Sequence, residues 1–414
     1  MDGGQLVSPH DTNVINEVLK IKDISEVNFE GNEELIEIIG EDVDNVYLDR
    51  ILELSLSPES VMRQKDFKIV YTPIHGTGYR LVPEILKRYG FEQVYVVDEQ
   101  ANPDGNFPTV ASPNPEESAA LEIAIKKAQE INADLVMATD PDADRVGIAI
   151  RKGDNMILIN GNQMASLLIY YLLTKWQEKG KLTGNEYIIK TIVSTELMAK
   201  IAIKHKVEYF DVLTGFKHIA DVIRQNEGVK TFIGGGEESY GYLVGDFVRD
   251  KDAVISCAMI AEIAAWAADK GMSLYDLLLD IYLEYGLHKE SLISVVRKGK
   301  SGADEIQKIM KDFRSDPPKS LGNSKVILIK DYLSGVSKNI ENGLEESINL
   351  PSSNVLQFYT SDGGKVSVRP SGTEPKIKFY FGVVAPMASK ADFPKVDAEL
   401  DRKIASYVSE LGLD

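Results

Sequence analysis

Leu135-Val136-Met137-Ala138 is an apolar run of buried-strand length, and it leads directly into Thr139-Asp140-Pro141-Asp142-Ala143-Asp144-Arg145-Val146-Gly147. Carboxylates at alternate positions converge only where the chain curls, and Pro141 favours such a loop while removing one backbone donor. Oxygen ligands of this kind suit a hard divalent cation. A calcium loop of the EF-hand type also begins Asp-x-Asp-x-Asp, but it needs Gly at its sixth place and Glu at its twelfth. Those places hold Arg145 and Arg151. Three carboxylates leave coordination positions open, as Mg²⁺ requires when it must also touch a phosphate oxygen. The competing reading of the same residues is a solvated acidic turn.

A chain of 414 residues exceeds what one hydrophobic core supports, so two to four domains are expected. The 43% hydrophobic and 27% charged fractions are those of an ordinary globular protein, and disorder is not indicated. Net charge is −18, and residues 1–50 alone hold thirteen acids against three bases. That balance argues against nucleic acid or an anionic membrane as a bulk partner, since both reward basic surfaces. Cys257 is the single cysteine, which excludes an internal disulfide and suits a reducing compartment; its apolar neighbours mark it as a core thiol. The apolar stretch from Ala253 to Ala268 carries Glu262 and reads as a buried helix rather than a membrane span. Met1-Asp2-Gly3-Gly4-Gln5 has neither the charged nor the apolar region of a signal peptide, so the expected location is the cytoplasm.

Residues 1–40 hold one helical stretch, Asp11 to Ile21, and an acidic segment with too little apolar mass for a core. From there strands alternate with helices. The first series is helix Val43–Leu54, strand Phe67–Tyr71, helix Arg80–Tyr89, strand Gln93–Val97, helix Glu116–Gln129, and strands Leu135–Ala138 and Val146–Ile150. The second is strand Met156–Ile159, helix Gly161–Leu173, strand Tyr187–Val193, helix Glu196–His205, strand Val207–Leu213, helix Ile219–Arg224, strand Lys230–Ile233 and two closing helices. Alternation of this kind predicts two α/β units, similar enough in size to be duplicates, with mostly parallel sheets and ligand loops at the strand carboxyl ends. Beyond residue 290 a helix at Ile306–Phe313, a run of strands and a terminal helix, Val396–Leu411, predict a smaller α+β domain.

Four other stretches carry chemistry. Thr72-Pro73-Ile74-His75-Gly76-Thr77-Gly78 is a strand-to-helix turn of the type that offers backbone N–H groups to an anion, and His75 is either a ligand contact or a turn-stabilising side chain. Gly234-Gly235-Gly236 lets the backbone approach a ligand closely, and Glu237 and Ser239, two apart, point one way in extended chain, which suits vicinal sugar hydroxyls; a flexible turn with an incidental acid is the alternative. Lys217, after Thr214-Gly215, stands where a cation and free N–H groups favour an anion, although a surface lysine would look the same. Arg369-Pro370-Ser371-Gly372-Thr373-Glu374-Pro375-Lys376-Ile377-Lys378 joins two strands and gathers a guanidinium, hydroxyls and lysines into a phosphate cradle, or else merely punctuates a hairpin. The five histidines, at 10, 75, 205, 218 and 288, support no hydrolytic triad.

Taken together these loops resemble the α-D-phosphohexomutases, the phosphoglucomutase and phosphomannomutase family, over essentially the whole chain. Asp140, Asp142, Asp144 and Arg145 fit the family's Asp-x-Asp-x-Asp-Arg metal loop, and Gly236-Glu237-Glu238-Ser239 its sugar loop. Arg369, Ser371, Gly372 and Thr373, with Lys378, fit the phosphate loop, and Lys217 the Thr-Gly-Phe-Lys segment. The resemblance implies an α/β fold: a remnant of domain 1 (1–40), two similar α/β domains with mixed sheets (41–155 and 156–289), and a C-terminal, TBP-like α+β domain (290–414).

It also implies a Mg²⁺-dependent phosphoryl shuttle between hexose 1-phosphate and hexose 6-phosphate, through a phosphoserine and a hexose 1,6-bisphosphate that also serves as activator. Mg²⁺ would be held by the three aspartates. Arg145 and Lys217 would take catalytic parts, with Glu237, Ser239 and the phosphate loop binding substrate. The expected partner is a phosphorylated hexose, with neither nucleic acid nor membrane, and the assembly a monomer or homodimer. The family's Thr-Ala-Ser-His-Asn-Pro serine loop has no counterpart in these residues. Val110-Ala111-Ser112-Pro113-Asn114-Pro115 imitates it but lacks the histidine and precedes the metal loop within one α/β unit. Asp2-Gly3-Gly4-Gln5 resembles sequence shortly after the true serine loop, so the chain reads as domains 2 to 4, with little or no mutase activity by itself. Tyr240 favours a phosphoglucomutase with phosphomannomutase activity. A non-catalytic phosphosugar-binding fragment and a Mg²⁺-dependent phosphatase using Asp140 or Asp142 are the competing functions.

Overall fold

The structure, a computed structural model, describes residues 3–297, 299–371 and 375–413, without the side chains of 299–301. It divides into two compact units. The first comprises Met1–Lys190, His205–Phe210 and Gly215–Tyr275, and the second Thr191–Lys204, Asp211–Thr214 and Asp276–Asp414.

At the start of the first unit lies α1 (His10–Val18), three residues shorter at its end than the sequence predicts, followed by two 3₁₀ turns. No described residue before Glu41 is buried, in keeping with the low apolar mass of that stretch. Next come α2 (Glu41–Leu52), α3 (Pro58–Arg63), β1 (Lys68–Thr72), α4 (Gly78–Tyr89), β2 (Gln93–Val96), the short α5 (Asp98–Ala101), α6 (Ser118–Glu130), β3 (Leu135–Thr139), β4 (Val146–Lys152) and β5 (Asn155–Ile159). Their sheet runs β2-β1-β3-β4-β5. β1 is parallel to both of its neighbours, but β3, β4 and β5 form an antiparallel meander, so the sheet is mixed, as the family resemblance implies, rather than mostly parallel, as the alternation alone predicts. Loop length forces this outcome: the stretch from Asp140 to Arg145 is far too short for the crossover that a parallel partner requires.

The second series is α7 (Gly161–Glu178), β6 (Glu186–Thr191), α8 (Glu196–Lys204), β7 (Glu208–Val212), α9 (Phe216–Asn226), β8 (Thr231–Gly236), β9 (Tyr242–Val244), α10 (Ala253–Asp269) and α11 (Leu274–Tyr285). The sheet order β7-β6-β8-β9 repeats that of β2-β1-β3-β4, again with an antiparallel last pair. The Asp loop and the Glu237 loop therefore occupy the same place in two copies of one plan. Asn160 caps α7 through a reciprocal pair with Gln163, at 2.9 and 3.0 Å. Every residue of α10 from Ala253 to Ala267 is buried, including Cys257 and Glu262, as expected of a helix that is apolar all round. Among the described residues no helix is long and apolar enough to cross a membrane.

The second unit is built on β10 (Leu287–Val296), α12 (Gly299–Ser315), β11 (Ser320–Leu321), β12 (Ser324–Asp331), β13 (Val336–Asn339), β14 (Glu345–Ser347), β15 (Leu356–Thr360), β16 (Lys365–Pro370), β17 (Lys376–Ala385) and α13 (Phe393–Glu410). Its sheet order is β10-β17-β16-β15-β12-β13-β14, with β11 paired to β12. All of these pairs are antiparallel. The Phe313 ring of α12 lies 6.0 Å from that of Phe358 and 6.2 Å from that of Phe379, and Tyr407 of α13 is fully buried, so both long helices pack on this sheet.

Candidate active site

β3 is buried at every residue, and it delivers the Asp loop with its backbone already fixed. Ala143, at φ 56°, turns the loop through the left-handed region. Asp140 Oδ1 then accepts from two backbone N–H groups, Asp144 at 3.0 Å and Arg145 at 2.9 Å, so the first carboxylate holds the loop that carries the third. Asp140, Asp142 and Asp144 thereby bring a carboxylate oxygen each to within 4.8 Å of one another. Burial pushes the Asp140 carboxyl up to about 7; the Arg145 N–H opposes the rise, and the neighbouring Asp144 and Asp142 charges add to it. Asp144 Oδ1 is buried with no hydrogen-bond partner. Clustered, mutually repelling carboxylates with a buried acceptor to spare fit a hard dication.

The turn after β1 braces this loop. Pro141 O accepts from Thr77 N at 2.8 Å and from Thr77 Oγ1 at 3.0 Å. Gly76 is obligatory there, because a Cβ would stand 2.4 Å from Pro141 Cα. His75 resolves as a turn-stabilising side chain: Nε2 is 2.9 Å from Thr109 Oγ1, Nδ1 is 3.2 Å from Asn102 O, and the ring is buried. Ser112 Oγ donates to Glu117 Oε1 at 2.9 Å. Arg145 is partly exposed, 3.3 Å from Glu116 Oε1 and 3.6 Å from Asp144 Oδ1.

The Glu237 loop is joined directly to the Asp loop, since Val146 N donates to Tyr240 O at 3.1 Å. Gly235 lies so close to β6 that a Cβ would be 2.3 Å from Ile189 O, which explains a glycine run inside a strand. Glu237 is buried, and burial raises its carboxyl, with the Glu238 charge adding to the rise; the N–H of Gly215, 2.8 Å from Oε1, opposes it. Ser239 follows two residues on and is partly exposed. Lys217, in the first turn of α9, has a 40% exposed side chain and lies 3.6 Å from Asp11 Oδ2, an ion pair of the exposed kind.

Sequence reasoning missed Lys251. Within Arg249-Asp250-Lys251-Asp252 it reads as one more charge in a polar turn, yet its side chain is only 11% exposed, and Nζ is 2.7 Å from Asp144 Oδ2. The aliphatic stem runs under Gly241, where a Cβ would be 2.4 Å from Lys251 Cδ, and Nζ lies 5.7 Å from the centre of the Phe216 ring. Partial burial lowers the ammonium's pKa, but hydrogen bonding and charge from Asp144 and Asp250 outweigh it, and the net shift is upward.

In the second unit Arg369 and Lys378 are direct cross-strand partners of β16 and β17, so both side chains leave the same face of the hairpin. Ser371 N donates to Lys376 O at 2.8 Å and closes the pair. Gly372 and Thr373 lie outside the described residues.

Two profiles match the chain: "Phosphoglucomutase/phosphomannomutase, alpha/beta/alpha domain II" over residues 45–153, and "alpha/beta/alpha domain III" of the same family over residues 160–285. A phosphoglucomutase of Staphylococcus haemolyticus is 36% identical over 383 residues, which are 92% of this chain and 69% of that protein. A phosphoglucomutase of Staphylococcus aureus is 40% identical over 344 residues, 83% of this chain and 60% of that protein, so the chain spans about two thirds or less of these relatives. In fold it is similar to a putative phosphomannomutase from Thermus thermophilus, with TM-score 0.60 and 18% identity over 90% of this chain and 66% of that one. It is likewise similar to the open form of parafusin from Paramecium, with TM-score 0.60 and 17% identity over 89% of this chain and 62% of that one. With the metal-type loop, the Gly-Glu-x-Ser loop and the duplicated sheet plan in place, these matches show that the chain belongs to the phosphoglucomutase/phosphomannomutase family.

Proposed function

We propose that these residues carry the metal-binding, sugar-reading and phosphate-holding parts of a phosphoglucomutase that interconverts hexose 1-phosphate and hexose 6-phosphate through a phosphoserine and a hexose 1,6-bisphosphate. The division into 41–155, 156–289 and 290–414 is part of that proposal. The observation that carries it is the Val146 N to Tyr240 O hydrogen bond at 3.1 Å, which in this chain fixes the convergent aspartates against the loop of Glu237 and Ser239; the chain's relatives named phosphoglucomutase supply the reaction class.

Asp140, Asp142 and Asp144 would hold Mg²⁺, which when bound supplies charge that neutralises phosphoryl oxygens. Asp140 holds the loop's shape through its two backbone N–H contacts. Arg145, tethered to Glu116, places a guanidinium beside the carboxylates for the transferring phosphate. Glu237 accepts from sugar hydroxyls, with its carboxylate oriented by Gly215 N–H, and Ser239 adds a hydroxyl that donates or accepts. Lys217 takes a catalytic part with Arg145, while Arg369, Ser371, Gly372, Thr373 and Lys378 bind phosphate, so that contacts remote from the chemistry orient the sugar. Since no residue here matches the family's serine loop, the 414 residues bind phosphosugar without turning it over.

The test is a coupled assay of the 414-residue chain with glucose 1-phosphate, Mg²⁺ and catalytic glucose 1,6-bisphosphate, beside calorimetric binding of each ligand. Binding without glucose 6-phosphate formation is expected. Robust turnover would overturn the assignment of inactivity and direct attention to Ser112. Absence of both binding and turnover would overturn the function.

A further inference from the structure

In the second unit, Glu290 of β10 and Lys365 of β16 both pair with Gly382 of β17. Residues opposite one another in neighbouring strands share a face, so a carboxyl and an ammonium flank a position that has no side chain. The gap is real: a Cβ built on Gly382 meets only Lys365 O, at 3.9 Å. A cavity of about 20 Å³ lies here, lined by Glu290, His288, Lys365, Tyr380 and the Val193–Glu196 segment among others. That volume seats one water.

The segment over the cavity is firmly held. Lys365 Nζ donates to Ile192 O at 3.1 Å, Ser194 O at 2.9 Å and Glu196 Oε1 at 2.5 Å, and Gln357 Nε2 donates to Ile192 O at 2.7 Å. His288 is buried with Nδ1 2.9 Å from Gly286 O, a carbonyl that can only accept, so the proton sits on Nδ1 and Nε2 is left as an acceptor. Nε2 is also buried and has no hydrogen-bond partner, an expensive condition unless something donates to it.

We propose that the gap over Gly382 seats one water linking a protonated Glu290 carboxyl to His288 Nε2, so that closing the Val193–Glu196 segment moves a proton from the imidazole to the carboxyl. In the open segment the pair is carboxylate and imidazolium; in the closed one it is carboxylic acid and neutral imidazole, and no proton is gained or lost overall. Burial is what favours the neutral arrangement, and the surrounding charges divide. Lys200 of α8 and Lys365 of β16 disfavour imidazolium and Glu196 of the segment disfavours a second carboxylate, whereas Lys365 and the Thr195 hydrogen bond favour the carboxylate and Glu196 favours imidazolium; Tyr380 of β17 adds no charge. In agreement, burial pushes His288 down to about 4, and burial pushes Glu290 up to about 7 against the pull of Thr195 and Lys365.

The test is the protection of the amides of residues 192–204 against hydrogen exchange, corrected for intrinsic rates, in the whole chain between pH 5 and 6.5. Wild-type protection should stay within about threefold, because one proton is bound to the pair whether the segment is open or closed. Glu290→Gln leaves only the imidazole to titrate, and protection should rise about tenfold with pH. His288→Asn leaves only the carboxyl, and protection should fall by a similar factor. Slopes of one sign in the two variants, or none in either, would overturn the exchange. Carbon and nitrogen shifts of His288 in the unmutated chain give a check that no variant's folding affects: a neutral Nδ1–H ring at pH 5.5 is expected, and an imidazolium overturns the proposal. Gly382→Ala, for which the backbone has room, displaces the water and should move the His288 midpoint by a pH unit or more; an unmoved midpoint overturns the water link.

Discussion

Lys251 Nζ holds Asp144 Oδ2 at 2.7 Å while the other oxygen of that carboxylate, Oδ1, is buried with no hydrogen-bond partner. One oxygen is thus held by an ammonium, and its twin, 3.6 Å from Arg145 Nε, keeps its hydrogen-bonding capacity for a cation. A fixed ammonium repels an incoming dication, and even at an effective dielectric near 20 such charges a few ångströms apart interact by several kcal/mol. With screening, Lys251→Met should bind Mg²⁺ about tenfold more tightly by calorimetry, and Asp144→Asn should lose most of the binding. Weaker binding in Lys251→Met would show that aiming Asp144 matters more than the repulsion.

Glu262 is a second carboxylate that the sequence disguises. It sits in the middle of the fully buried α10 and accepts from Leu56 N at 2.8 Å, Ser57 N at 3.2 Å, Tyr171 OH at 2.6 Å and Ser55 Oγ. The chain entering α3 is held by these bonds. Glu262→Leu fits the apolar helix but strands several buried donors, each costing about 1–3 kcal/mol. Urea unfolding should show a loss of about 3–5 kcal/mol, with Glu262→Gln clearly milder. An unchanged midpoint in the Leu variant would mean that the 55–57 turn finds other acceptors.

These two residues show where sequence legibility stops. The Asp loop announces itself because its chemistry is local: three acids, a proline and a strand all lie within about a dozen residues, and periodicity suffices to place them. The same holds for Glu237 and Ser239. Lys251 lies 107 positions from Asp144, and Glu262 lies 206 from Leu56, so their partners exist only once the sheets have formed. The mixed character of the first sheet was legible in principle from the shortness of the Asp loop, since a parallel neighbour needs a long crossover. β13 and β14, by contrast, are polar strands such as Glu345-Glu346-Ser347 that carry no apolar alternation.

Asp269 supplies a pH signature. Arg63 grips it with two parallel bonds, Nε to Oδ1 at 2.7 Å and NH2 to Oδ2 at 2.6 Å. The guanidinium hydrogen bonds hold the carboxyl down to about 2, against slight desolvation. A depressed folded-state value means stability that is fully present above the ordinary carboxylate range and lost as pH falls from near 4 towards 2. Thermal melts of Asp269→Asn should therefore be flatter than wild type in that window and parallel to it above pH 5. Equal acid slopes in both proteins would show that the pair contributes nothing measurable, as many exposed ion pairs do.

Gly161, the first residue of α7, touches the sugar-type loop from behind. A Cβ there would stand 1.9 Å from Glu238 O and 3.0 Å from Tyr240 N, and its carbonyl accepts from Tyr242 OH at 3.0 Å. Both contacts are with backbone, which has no rotamer by which to yield, so Gly161→Ala must displace the loop or the start of the helix. Overpacking of this kind costs about 1–3 kcal/mol, tolerable for folding but large for a loop whose proposed role is to place Glu237 and Ser239 against a ligand. The Asp loop keeps its own anchors in Asp140 Oδ1 and Thr77. Calorimetry on Gly161→Ala should accordingly show glucose 1-phosphate affinity reduced at least tenfold and Mg²⁺ affinity within about threefold of wild type. Equal loss of both would mean that the Val146 to Tyr240 hydrogen bond transmits the displacement and that the two loops move as one body.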